Sequence, residues 1–238
     1  PAPPYPPARP APAAAPEPPG DEEIVVIASK RDTPLGRYPA SVSIVDGEMT
    51  AAGLESLGTE ALVAYLPSLT STHLGPGRNK LFVRGLADSS FNGPTQATVG
   101  EYLGEARLNY NGPDPDLRLY DVRSVEVLEG PQGTLHGVGT LGGVIRLQPA
   151  PPNLERPEAS LNAGVSFTEH GDPGADVAAI VDLPLGDTLG LRTVAYRVRE
   201  GGYIDDTQRG KDDVNRVDTV GGRAWLRFTP GDGWTIDL

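Results

Sequence analysis

At 238 residues, with 38% hydrophobic residues, 30 Gly and 25 Pro, the chain has room for one or two domains but is poor in core-forming residues. A formal charge of −12 argues against binding a nucleic-acid backbone, and the lack of cysteine excludes disulfides and thiolate metal sites. No run of about 18 apolar residues encodes a membrane helix, which says nothing against a β-barrel, whose strands need only about ten residues of alternating polarity.

The chain begins with Pro and shows no apolar signal-peptide core, so its start is expected to have been removed. Residues 1–20 hold ten prolines in the first nineteen positions. They read as an extended, polyproline-like stretch, either a disordered terminus or a spacer reaching about 60 Å at ~3.1 Å per residue. Residues 21–30 follow, with Ile24-Val-Val-Ile27 between charges as a short strand without a hairpin partner in sequence. It is either a template for strand addition to another protein or an edge of this protein's own sheet.

Residues 31–152 read as a compact α+β unit. Val42–Val45 is a predicted strand, followed by a short helix from Gly47 that Asp46 caps and Gly53 ends. Thr59 is the expected cap of a second helix, with Leu62 and Leu66 on one face and Pro67 as its stop. Strands are predicted at Leu81–Arg84, Ala97–Leu103, Val122–Leu128 and Val144–Leu147. The last two flank a glycine-dense loop from Gly130 to Gly143, a composition expected where backbone takes φ > 0 or presses closely on another surface.

From residue 153 the texture changes. In 159–168 and 175–183 the odd positions are apolar; in 220–228 the even ones are, while Arg223, Trp225 and Arg227 line the other face. Leu189–Arg199 is less regular, apolar first on odd and then on even positions, which suggests a bulge. A short turn at Pro184–Asp187 and a long polar connection at 200–218 suit an outer-membrane barrel; a soluble β-sandwich alternates in the same way. The last strand, from Trp234, stops mid-pattern, so the chain is expected to be truncated.

Little enzymatic chemistry is encoded. Gly137-Val-Gly-Thr-Leu-Gly142 fits G-x-G-x-x-G, but it leads into a strand, so the helix N-terminus that would hold a pyrophosphate is missing. His73, His136 and His170 have no metal-spaced partners, and Asp114/Asp116 and Asp205/Asp206 read as solvated loop charge, with a weak calcium role as the alternative. No nucleophile, base and oxyanion hole assemble, so an enzyme, a cofactor and a metal centre are not expected.

The order of these features resembles the TonB-dependent outer-membrane receptors. The carriers are the Pro-rich tether, the strand behind it, Pro39–Val45, Leu81-Phe-Val-Arg-Gly85, and Val122–Gly137 continuing through Gly142-Gly-Val-Ile145. The resemblance implies a plug domain over 21–149, followed over 157–238 by the first strands of a 22-stranded barrel. It implies that Glu23, Ile24, Val25, Val26, Ile27, Ala28 and Ser29 form the TonB box, captured by TonB of the inner-membrane energising complex. It implies plug–barrel packing through Arg84, Gly85, Arg123, Glu126, Gly130, Pro131, Gln132, Gly133, Gly142 and Gly143. Apex loops carrying His73, Arg78, Asn79, Asp88, Ser89, Ser90 and Asn92 would bind a small solute, a ferric siderophore ranking first. The remaining partner would be outer-membrane lipid, with the tether facing the periplasm. Glu129 departs from the family, which places Arg before Gly-Pro-Gln-Gly, and Val138 stands where a polar residue is usual. The alternative is a secreted β-rich binding or adhesion module; a sensor that imports nothing is disfavoured, since no signalling domain precedes the tether.

Overall fold

The computed structural model describes residues 25–27, 30, 33–47, 53–87, 95–231 and 233–238. Two bodies share the chain. The N-terminal body is built on a five-stranded sheet of β3 (Val42–Asp46), β8 (Val122–Glu129), β9 (Gly143–Pro149), β6 (Val99–Leu103) and β7 (Ala106–Arg107), in that order. Only the β9–β6 pairing is parallel. A smaller ladder joins β4 (Leu69–Ser71) to β5 (Leu81–Val83), and a two-residue one joins β1 (Val25–Val26) to β2 (Thr33–Pro34).

β8 and β9 are covered over most of both faces, so polar Glu126, Arg146 and Gln148 are buried there beside their apolar neighbours. Val125, Val127, Ile145 and Leu147 join Leu62, Leu69, Leu81 and Leu119 in the main core, while Leu128, Val144 and Tyr102 cluster separately. A 3-10 helix, Thr59–Ala64, lays Leu62 on that core, and Leu66 follows it there. Thr59 is not its cap. The helix starts at Thr59 after Gly58 at φ 72°, and the Thr59 hydroxyl donates instead to the Pro115 carbonyl at 3.3 Å. The helix expected after Asp46 falls largely on 48–52, outside the described residues. The strand expected from Ala97 starts at Val99, and one four-residue helix, α1 (Gly133–His136), interrupts the glycine-dense loop.

The second body is an antiparallel meander: β10 (Glu158–Ser166), β11 (Gly174–Pro184), β12 (Leu189–Glu200), β13 (Val217–Gly231) and β14 (Trp234–Asp237). Ladder partners point to one face, so Leu161, Ala179, Ala195 and Gly222 share the outer surface. That surface exposes Leu161 by 72%, Val165 by 73% and Val220 by 76%, far more apolar area than a soluble sheet leaves in water.

Leu189–Arg199 contains no bulge. Its register runs unbroken against both neighbours, and the shift lies instead between Phe228 and Gly231. The irregular pattern has a different cause. Outward Leu189 and Leu191 face the surroundings, whereas inward Val194 and Val198 pack with Ala178 and Ile180 on Tyr120 of the first body. The strand switches its apolar face because two different surfaces cover it.

Candidate functional site

Backbone ladders hold each body together, and side chains join the two. The segment 117–121 of the N-terminal body lies along the inward face of the meander. Arg118, almost fully buried, donates to the Ser56 carbonyl at 2.9 Å, to Thr219 Oγ1 at 3.1 Å and to Glu200. Tyr120 donates its hydroxyl to Asp176 at 2.8 Å, and Asn162 donates its amide to Glu55 at 3.0 Å. Burial, ahead of the nearby Asp121 and Asp176 charges, pushes the Glu55 carboxyl above its ordinary range.

Asp121 is the densest point. Its carboxylate receives Arg192 Nε at 2.9 Å and Nη2 at 2.6 Å, and Arg223 Nη2 at 2.9 Å. Arg192 also pairs with Asp182, which in turn accepts the Asn153 N–H, so two acids and two arginines balance each other. The Asp121 side chain is 4% exposed and its backbone sits at φ 58°, a conformation Asp tolerates better than most residues.

The described contacts of the packing residues expected from sequence lie within the N-terminal body. Arg84, at φ 55°, meets Glu129 at 2.8 Å, and Ser41 and Ser43 also donate to that carboxylate. Burial alone would raise the Glu129 pKa, but the serine hydrogen bonds and the Arg84 guanidinium outweigh it and hold the carboxyl below its ordinary value. The charge reversal at 129 is therefore matched locally. Arg123 is exposed on β8, and the described contact of buried Glu126 is to Ile27. The glycine loop does press closely on something, but on its own body. A Cβ at Gly143 would overlap the Leu128 carbonyl oxygen, and one at Gly142 would lie 3.3 Å from that of Thr98. Gly130 (φ 90°) and Gly85 (φ 70°) answer conformational needs instead. Gln132 closes the loop, its N–H on the Thr140 carbonyl and its own carbonyl accepting from His136, while Pro131 stays exposed and Gly133 opens α1.

The short strand behind the tether has a partner in this chain. Val25 and Val26 pair with Pro34 and Thr33, and Val26 is fully buried. Ile27 is gripped at both backbone groups: its N–H donates to Glu126 Oε1 at 3.0 Å, and its carbonyl accepts Arg146 Nη1 at 2.8 Å. Glu23, Ile24, Ala28 and Ser29 lie outside the described residues.

Of the expected solute-binding residues, His73 and Arg78 are exposed. His73 Nδ1 lies 2.7 Å from Glu60, an acid that sequence reading passed over as one more position on a helix. Asn79 is spent internally: it is buried, donates to Glu60, and accepts the Leu74 and Gly75 N–H groups to shape the 73–79 loop. Asp88, Ser89, Ser90 and Asn92 lie outside the described residues. Below this cluster, Asp114 accepts from Asn109 (2.7 Å), which accepts the Glu101 N–H (2.9 Å), while both Glu101 carboxyl oxygens are buried without a hydrogen bond. Among the described residues no group of three or more His, Cys, Asp or Glu is placed to hold a metal ion.

An α+β body carrying a gripped N-terminal strand, anchored to the inner face of an outwardly apolar meander, is the arrangement of a plugged barrel wall. The TonB-dependent Receptor Plug Domain family matches residues 34–144. Residues 34–144 are thus a plug domain of that family. The plug is 34–144 and its near surroundings; β10–β14 are wall. A pesticin receptor of Yersinia pestis is 28% identical over 223 residues, covering 89% of this chain and 30% of that protein. An iron-regulated outer membrane virulence protein of Vibrio cholerae is 25% identical over 204 residues, covering 82% and 29%. The chain thus spans about a third of the length of these relatives. The fold superimposes on the ferric yersiniabactin uptake receptor of Yersinia pestis with a TM-score of 0.68 at 22% identity, covering 83% of this chain and 30% of that one. The ferripyoverdine receptor of Pseudomonas aeruginosa matches with a TM-score of 0.68 at 17% identity, covering 90% and 26%. The Vibrio cholerae protein and the ferripyoverdine receptor are both described as proteins of the outer membrane.

Proposed function

We propose that this chain is the energy-coupling part of an outer-membrane importer for a scarce solute, a ferric siderophore ranking first, driven by TonB. The observation that carries this reading is the strand at 25–27. It is short, β-branched and held mainly through backbone groups by two side chains, Glu126 and Arg146, so another strand can replace its pairing without disturbing the plug sheet. Relatives described as uptake receptors for ferric yersiniabactin and ferripyoverdine support the choice of solute class. The exposed His73 and Arg78 then face the solute from the plug side; Glu60 positions His73, and Asn79 shapes their loop. Arg118, which reaches Glu200 at the long-loop end of β12, ties this part of the plug to the outer rim.

Deletion of Ile24–Ile27 in the full-length receptor is expected to abolish energised uptake and leave solute binding intact. Uptake persisting unchanged would overturn the coupling role. The outward apolar wall argues against a secreted adhesion module.

A further inference from the structure

We propose that Glu126 and Arg146 form a clasp through which a pull on the strand at 25–27 enters the centre of the plug sheet, and that TonB takes the opposite edge of that strand by displacing Thr33–Pro34. The inference rests on the reading of this strand as the segment TonB captures. It adds which edge is used and where the force arrives.

Successive residues of a strand turn their backbone groups to opposite edges. At Ile27 the N–H donates to Glu126 Oε1 at 3.0 Å and the carbonyl accepts Arg146 Nη1 at 2.8 Å, so the clasp fills one edge. Val26 therefore faces the other edge, where its ladder partner is Thr33. Both edges are occupied, and an added strand must clear one of them.

The two edges are unequal. The clasp consists of charge-assisted bonds, roughly twice as strong as neutral ones, made by the buried residues Glu126 and Arg146. The other edge is covered by a ladder of two residues, Thr33 and Pro34, both half-buried. Pro34 has no N–H to contribute to it. The weaker cover yields first, so the incoming strand lies along the Val26 edge and the clasp stays closed behind it.

Where the clasp leads decides what a pull does. Glu126 and Arg146 stand opposite each other in the β8–β9 ladder, and these are inner strands of the five-stranded sheet. Arg146 is fixed further by the Gly104 carbonyl at 2.9 Å and by Glu105, which also meets Lys30 at 3.7 Å. Without the clasp, a pull would run along the chain to Val42 and reach the sheet at β3, its edge strand. The clasp bypasses the roughly fifteen residues from Ile27 to Val42, about 50 Å of extended chain. Force then arrives at the middle of the sheet and not at its rim.

The test uses the full-length receptor in a lipid bilayer, with the periplasmic domain of TonB as the probe, first in a binding titration and then attached to a force sensor. Pulled through bound TonB, the wild type should resist before any slack appears. Glu126→Gln/Arg146→Met should still capture TonB, yet release about 50 Å of slack at low force before the sheet resists. Thr33→Pro takes a backbone donor from the displaced cover and should tighten TonB capture about fivefold, the weight of one hydrogen bond. Slack at low force in the wild type, no early slack in the double variant, or capture left unchanged or weakened by Thr33→Pro would each overturn the assignment. If the double variant does not reach the membrane, the wild-type trace and Thr33→Pro decide. A wild type that does not bind TonB at all would sink the coupling reading itself, an outcome distinct from bound TonB drawing out early slack.

Discussion

The plug sheet and the wall sheet place polarity in opposite ways. In the plug, β8 and β9 are covered on both faces, so polar groups have been driven inward and must be matched there, or, at Glu101, left unmatched. In the wall, apolar residues point outward and the inward face carries Asp176, Asp182, Arg192 and Arg223, each matched by the plug or by a neighbouring strand. The two bodies therefore meet through a few directed side-chain bonds, with one small apolar contact at Tyr120. A junction of that kind can part without breaking either ladder.

The sharpest way to break the contrast is at Asp121. Asp121→Ala strands Arg192 and Arg223 on the inner wall and should cost about 3 kcal/mol of plug–wall attachment. Hydrogen exchange in the full-length receptor should show early opening at 117–125 while β10–β13 stay protected. Protection lost equally in both bodies would mean they open as one. Asp121→Asn, which keeps the tolerated φ and one acceptor, should fall between. Next in size is Gly143→Ala inside the plug, where a methyl meets the Leu128 carbonyl; overpacking should cost about 1–3 kcal/mol by thermal unfolding, with Arg192 and Arg223 unaffected.

The wall was legible in sequence because alternation survives whatever covers the two faces. Even the one irregular segment was informative, although the cause is a change of cover at Val194 and Val198, not a bulge. The plug's strands were legible as β-branched segments between turn signals, but its contacts were not. Arg84 and Glu126 are expected at the wall from where they stand in the family pattern, whereas nothing in the sequence singles out Asp121, which binds β12 and β13. The signal was present on the other side, in arginines at inward positions of β12 and β13 that needed an acid opposite them. Periodicity locates such a demand without saying which acid meets it, since that depends on how the sheets cross. The pairing of Val25–Val26 with Thr33–Pro34 escaped for a simpler reason: two-residue ladders leave no periodicity to read.

Glu101 tests whether the plug's inward polarity carries a cost. Burial first, and the neighbouring Asp114 and Asp116 second, push its carboxyl well above the ordinary range, so the folded plug keeps a proton that the unfolded chain releases near pH ~4.3. Stability from this residue is thus intact in acid and falls as pH rises toward the folded-state value. Glu101→Gln should match the wild type near pH 4 and unfold at a higher temperature at pH 7. A constant gap between the two across that range would show that the shape of the amide, and not the proton, is responsible.

Glu129 should give the smallest effect and the opposite pH sign. Its carboxyl is held below the ordinary range, so its contribution is present above that range and is lost as pH falls through the folded-state value. Arg84 is 56% exposed, which screens the pair, so Glu129→Gln should cost only about 0.5–1 kcal/mol at pH 7 and nothing in strong acid. Glu129→Arg is more telling. It restores the residue the family usually carries, yet here it sets two guanidinium groups together where Ser41 and Ser43 now donate to a carboxylate. If this plug has adapted to the acid, Glu129→Arg must be worse than Glu129→Gln, and adding Arg84→Glu should recover part of the loss. Equal stability of all three variants would make the reversal at 129 a neutral exchange, and the plug's local charge matching a matter of surface chemistry alone.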